Sequence, residues 1–251
     1  MTPIENFCFD IETAPLDDAV LDLMIPPFNP DEVKTGNMGA EKAKEKIDRL
    51  RDEYFKTFRR RAALSPLTGQ IAAIGIIGPE PDERAIMIDP NESELIKTFF
   101  AIFAESIRSP RISRWIGFCI ETFDLPFIIR RAWRLQVPIP AGLSLHRYLS
   151  SHFTDLAALW RLSDFRGPVP SLAELASFFG LPPKTGKGAD FAELLRYDHA
   201  AAREYLTNDL VITWRLAERL GAFHVESPEP APPSDFEPEP EPESEPEFRF
   251  F

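Results

Sequence analysis

Cysteine is nearly absent from this chain: Cys8 and Cys119 are the two in 251 residues, and neither belongs to a Cys-x-x-Cys pair. A disulfide framework, a cysteine-based zinc site and a dithiol redox motif are thereby excluded, and two reduced thiols in a cytoplasmic protein are expected. Histidine is equally scarce. His146, His152, His199 and His224 show no metal-ligand spacing and read as ordinary surface or core residues. No apolar run approaches the roughly 18 residues of a membrane span. The opening Met-Thr-Pro-Ile-Glu-Asn has no basic stretch followed by an apolar one, so no secretory leader is expected. No internal repeat is evident. Lys184-Thr-Gly-Lys-Gly188 lacks the full Gly-x-x-x-x-Gly-Lys-Ser/Thr pattern of a phosphate loop and reads as a connection between helices.

Net positive charge is lacking too, at -12 overall. The deficit is uneven: residues 226–251 carry nine acids and one base, leaving -4 for residues 1–225. Overall acidity therefore argues against indiscriminate attraction to nucleic acid, without excluding a specific nucleic-acid site. Residues 226–247 contain eight prolines and repeat Glu-Pro with almost no apolar residue, the composition of a disordered tail. The tail ends in Glu-Phe-Arg-Phe-Phe, where Phe248, Phe250 and Phe251 are candidate anchors for a protein partner.

With 44% hydrophobic residues, residues 1–225 are long enough to bury one substantial core. Strands are expected at 6–11, 70–77, 84–88 and 112–118, the second and third paired around a Gly-Pro-Glu-Pro-Asp turn. Residues 12–39 read as a loop. Residues 40–63 have no Gly or Pro and abundant Ala, Glu, Lys and Arg, which predicts a long helix inserted after the first strand. Further helices are expected at 93–107, 126–135, 156–162, 171–179, 191–195 and 200–220. Phe178 and Phe179 are expected in the core. Strands first and then helices around a mixed sheet predict a single α/β domain.

Four acids carry the candidate chemistry. Asp10 and Glu12 lie in Phe-Asp-Ile-Glu-Thr (residues 9–13); residues two apart on a strand face one side, so both point into one site while Phe9 and Ile11 face the core. Asp124 sits between Phe123 and Leu125-Pro126-Phe127, where a helix N-cap is the simplest structural role and a desolvated carboxylate needing a cation is the functional one. Tyr205 and Asp209 are four apart on the last long helix and share a face. Such carboxylates, brought together from separate segments, are what paired divalent metals require. Each pair alone also fits a solvated face or chance spacing.

The three segments together resemble the DEDD 3′-5′ exonucleases of the ribonuclease H-like superfamily, especially the proofreading exonuclease domain of B-family DNA polymerases. Phe-Asp-Ile-Glu-Thr is similar to the first motif, residues 117–127 to the second, and Tyr-Leu-Thr-Asn-Asp (205–209) to the third. Tyr205 marks the tyrosine branch, since the position used by the histidine branch is Glu204. The resemblance spans about residues 4–220 and covers 26–63 poorly. It departs at Cys119, where Asn is frequent in the family and a thiol cannot donate like an amide.

The resemblance implies a ribonuclease H-like fold and metal-dependent release of nucleoside monophosphates from a single-stranded 3′ end, DNA being preferred. Two Mg²⁺ or Mn²⁺ ions would be held by Asp10, Glu12, Asp124 and Asp209, with Asp10 shared, Asp124 acting mostly through water, and Tyr205 orienting the nucleophile. Thr13, Cys119 and Phe123 are candidate substrate contacts. Arg59, Arg60 and Arg61 join them as the uncompensated positive end of an otherwise charge-mixed helix. Asp155 is expected to cap the next helix. Any proofreading or repair role would act in trans. The alternatives are an exoribonuclease, and a weakly active nucleic-acid-binding or scaffold module recruited through its tail.

Overall fold

Along the first strand, Phe7, Phe9 and Ile11 alternate with Cys8, Asp10 and Glu12, and the two series enter different layers. The aromatic series joins a large core on one face of a sheet, while Cys8 joins a second core on the other. These features belong to a computed structural model that describes residues 4–80, 82–143, 152–162, 164 and 167–223. The expectations for the tail at 226–251, with Phe248, Phe250 and Phe251, and for His146 and His224 lie outside those residues.

The elements in order are β1 (Ile4–Pro15), α1 (Asp18–Met24), α2 (Ala40–Ala62), β2 (Gly69–Ile77), β3 (Arg84–Ile88), α3 (Glu92–Arg108) and β4 (Ile112–Gly117). There follow α4 (Asp124–Leu135), β5 (Phe153–Asp155), α5 (Leu156–Arg161), α6 (Leu172–Phe178), α7 (Phe191–Tyr197) and α8 (His199–Arg219). They build one mixed sheet in the order β3-β2-β1-β4-β5. β2 runs antiparallel to β1 and β3, whereas β4 and β5 run parallel to β1 and its direction. This is an α/β arrangement of a mixed five-stranded sheet flanked by helices, with α1 and α2 between β1 and β2.

Trp115 of β4 anchors the first core. It stacks on Phe7 at 4.8 Å and meets Phe9, Phe99 and Phe103 at 5.6–5.8 Å. Each such ring pair contributes roughly 0.5–1.5 kcal/mol beyond its buried area. The indole N–H donates to Ser106 Oγ at 2.9 Å, so the ring is buried with no polar atom left over. On the same side Arg131 of α4 grips Glu92 of α3, Nη2 to Oε2 at 2.6 Å, and donates from Nη1 to Pro66 O at 3.0 Å. On the opposite face, α7 and α8 pack through Phe191, Ala202, Leu206 and Leu210.

Four expectations need correction. β1 is longer than 6–11, because pairing with β2 continues to Pro15 through a bulge between Glu12 and Thr13. The supposed loop contains α1, tied to α2 by Arg59, which pairs with both Asp18 and Asp22. β5 was not foreseen; three residues paired with β4 alone are too few to show a period. Phe178 is 71% exposed rather than in the core. It leans on Trp160 and Phe179 at 5.5 and 5.0 Å, because the inward face of the short α6 is taken by Leu175 and Ala176.

Candidate metal centre

β1 changes partner at Cys8, the one residue of the strand paired on both edges. Its parallel pairing with β4 ends at Cys8, while its antiparallel pairing with β2 continues to Pro15. Past Cys8 the β4 edge of β1 is therefore open. There the Ile11 N–H donates to Asp124 Oδ1 at 3.1 Å. Asp124 is thus the first residue of α4 rather than its N-cap: Phe123 holds the cap position without a side-chain bond, and the carboxylate turns across to β1. A peptide N–H that would otherwise be orphaned is satisfied by an acid.

Asp10 and Glu12 share the other face of β1 and look toward α8. Tyr205 and Asp209, one helical turn apart, look back from it, and both are buried. Carboxylate oxygens of Asp10, Glu12 and Asp209 lie within 4.8 Å of one another. Asp124 adjoins Asp10 without belonging to that trio.

Crowding acids away from water penalises their charged forms. Burial, then the charge of Asp209, pushes Asp10 up to about 7. Glu12 and Asp124 rise well above the carboxylate range, each chiefly by burial and next by the charge of Asp10. Asp209 rises by burial, and Lys184 opposes the rise. The Tyr205 phenol is driven far up, again by burial and then by Glu12 and Asp209. Asp209 Oδ1 and Tyr205 Oη are buried with no hydrogen-bond partner. Hard carboxylate oxygens, mutually repelling and partly unpartnered, suit a hard divalent cation. The residues present fit one.

The other candidates are placed as follows. Thr13 is buried just past the bulge. Cys119 is half-buried with φ +62, and its thiol is raised to about 11 by burial and then by Asp155 and Asp124. Phe123 packs on Phe127 at 5.6 Å. Asp155 is the N-cap of α5, accepting from Ala157 N at 2.8 Å, and it also accepts from Cys119 N at 2.9 Å and Glu121 N at 3.0 Å. It thereby pins the loop that carries Cys119. Arg60 and Arg61 are exposed. Arg59 is not the free charge expected of it, because Asp18 and Asp22 hold it. His152 contacts Ser113 O through Nδ1 at 3.2 Å, and His199 is the first residue of α8.

Lys184 is the residue that sequence reasoning missed. Its Nζ lies 2.5 Å from Asp209 Oδ2 and 5.0 Å from the centroid of the Tyr205 ring. The connection from α6 to α7 brings it there. The available signal was the run of Lys and Gly at 184–188, which carries no information about which helix it crosses.

No family model matches the chain, and no curated relative matches it. Among solved structures it is similar to the family B DNA polymerase from the hyperthermophilic archaeon Pyrobaculum calidifontis, with TM-score 0.55 and 17% identity. The likeness covers 87% of this chain and 24% of the polymerase, so the chain spans about a quarter of that protein. No described helix is long and apolar enough to cross a membrane. At 17% identity the likeness is one of fold. The chain therefore shares the fold of a portion of a family B DNA polymerase and carries on it a buried cluster of carboxylates able to hold a metal ion.

Proposed function

We propose that this protein is a metal-dependent 3′-5′ exonuclease of the DEDD tyrosine branch, removing nucleoside monophosphates from single-stranded DNA. The observation that supports this most is the convergence of Asp10, Glu12 and Asp209 within 4.8 Å beside the unpartnered Tyr205 hydroxyl. DNA is preferred over RNA because the structural neighbour is a DNA polymerase.

Asp10, Glu12 and Asp209 would hold divalent metal, and Asp124 would steady a second ion. When bound, the metal acidifies the attacking water and offsets charge on the phosphate. Tyr205 stays neutral across the working pH range, so it serves as a hydrogen-bonding guide for the water and not as a base. The phenol oxygen is buried and Phe191 packs against its ring at 5.9 Å, which keeps its single hydroxyl for that contact. Thr13, Cys119 and Phe123 are assigned to the terminal nucleotide. Arg60 and Arg61, exposed at the end of α2, are assigned to the phosphates further along the strand.

A second reading, a binding module with little activity, is favoured by the thiol at Cys119, which cannot position a nucleotide as an amide does. One experiment separates the readings: 5′-labelled single-stranded DNA and RNA of one sequence, with Mn²⁺, Mg²⁺ or chelator, beside Asp209→Ala. A metal-dependent ladder shortening from the 3′ end, absent in the variant, is expected on DNA. A ladder on RNA alone would move the assignment to an exoribonuclease, and cleavage of neither strand would move it to the binding module.

A further inference from the structure

Residues 181–190 join α6 to α7 by crossing in front of Tyr205. Two prolines, Pro182 and Pro183, begin the crossing, and Phe191, fully buried against Tyr205 at 5.9 Å, ends it. Between them the backbone runs close to the site. A Cβ at Gly186 would lie 3.1 Å from the Tyr205 ring, and one at Gly188 would lie 3.8 Å from both Glu12 Oε2 and Tyr205 Oη. Lys184 is the side chain that enters. Among the described residues it is the one lysine or arginine ion-paired with any of the four acids.

A lysine ammonium is a compact point charge on a flexible stem. At 2.5 Å from Asp209 Oδ2 it holds one oxygen of the carboxylate, and a cation taken up by the unpartnered Oδ1 would lie close beside it. An ammonium and a divalent ion on the two oxygens of one buried carboxylate repel each other strongly. The pair is also partly buried, with side-chain exposures of 20% for Lys184 and 2% for Asp209, so water screens it weakly.

We propose that Lys184 is a tethered counter-ion of the carboxylate site that a divalent metal must displace, so that the crossing segment moves away from Asp209 as metal enters. This rests on the metal-centre reading given above and adds a resident competitor to it. The ammonium balances part of the acidic charge while metal is scarce, and the site pays for that balance in metal affinity. The apparent affinity of the wild-type protein is lowered by the work of breaking a charge-assisted hydrogen bond, roughly ten- to a hundredfold.

The test is Mn²⁺ titration of the full chain at alkaline pH, followed by electron paramagnetic resonance and calorimetry. Wild type would be compared with Lys184→Met, Lys184→Gln and Lys184→Arg, and with Lys97→Met, whose partner is the exposed Glu94. Lys184→Met and Lys184→Gln are expected to bind Mn²⁺ at least about tenfold more tightly, while the other two stay near wild type. Should Lys184→Met fail to fold, the Gln variant keeps a polar group in place and carries the comparison. Trypsin supplies a readout free of variants: Mn²⁺ should speed cleavage after Lys184 and Lys187 in the wild type. Equal or weaker Mn²⁺ binding in the neutral variants, or protection of those two bonds by metal, overturns the displacement while leaving the metal centre intact. Absence of Mn²⁺ binding in every form removes the metal-centre reading itself, and this inference with it.

Discussion

Asp10 stands directly opposite Gly75 in the antiparallel pairing of β1 with β2. A Cβ on Gly75 would come within 2.5 Å of Leu210 Cδ1 and 3.0 Å of Leu206 Cγ. The missing side chain lets α8 lie close enough to the sheet for Asp209 to meet Asp10. Gly75→Val should lift the helix, cost about 1–3 kcal/mol from overpacking, and weaken Mn²⁺ binding. Urea unfolding and metal titration together check it; a destabilised variant with unchanged metal affinity would separate the helix seating from the site.

Burial, and then the charge of Asp209, pushes Asp10 up to about 7 in the folded protein, against 3.8 for an ordinary aspartate. Between those values the folded chain holds a proton that the unfolded chain has released. Stability in chelator therefore falls as pH rises through that window, and the contribution is lost above about pH 7. Asp10→Asn should flatten that slope, and urea midpoints at several pH values read it directly. Metal affinity of the wild type should climb over the same range, since binding needs the ionised carboxylate. Parallel slopes in both proteins would count against the burial argument.

Arg131→Met leaves Glu92 buried and deprived of its forked partner. Glu92 would keep one donor, the Ile71 N–H at 2.8 Å from Oε1. The expected loss is about 3–5 kcal/mol, the usual cost of breaking a buried pair from one side. Adding Glu92→Gln should recover part of it. Denaturant unfolding of the two variants tests this, and a loss below about 1 kcal/mol, the surface-pair range, would refute it.

Cys119→Asn places an amide at a position whose φ is +62. Asparagine is among the side chains best tolerated in that region, so the fold should not suffer. If the loop binds the terminal nucleotide, KM for single-stranded DNA should fall several-fold with kcat little changed. An unaltered KM would detach Cys119 from substrate binding.

Much of the scaffold was legible because its signals are local. The 23 residues of α2 contain no Gly or Pro, and β2 and β3 flank a proline-rich turn. The strand period places Asp10 with Glu12, and the helical period places Tyr205 with Asp209. What brings the two pairs together is not local: it depends on the seating of α8 over Gly75 and on β4 leaving β1 at Cys8. Lys184 reaches Asp209 across 25 residues with no pattern to announce it. Arg59 looked free because its partners lie in α1, a seven-residue helix hidden among acids and prolines. Phe178 shows the complementary limit, since an aromatic side chain does not disclose which way a two-turn helix will face.

The open edge of β1 also ties the site to the order in which the chain is made. Asp10 and Glu12 emerge first from a ribosome, Asp124 midway, and Asp209 only with α8, the last element described. The helices that deliver Asp124 and Asp209 cover opposite faces of the sheet. A nascent or truncated chain lacking either layer holds an incomplete set of acids, so the cluster is assembled only when α8 has docked over Gly75.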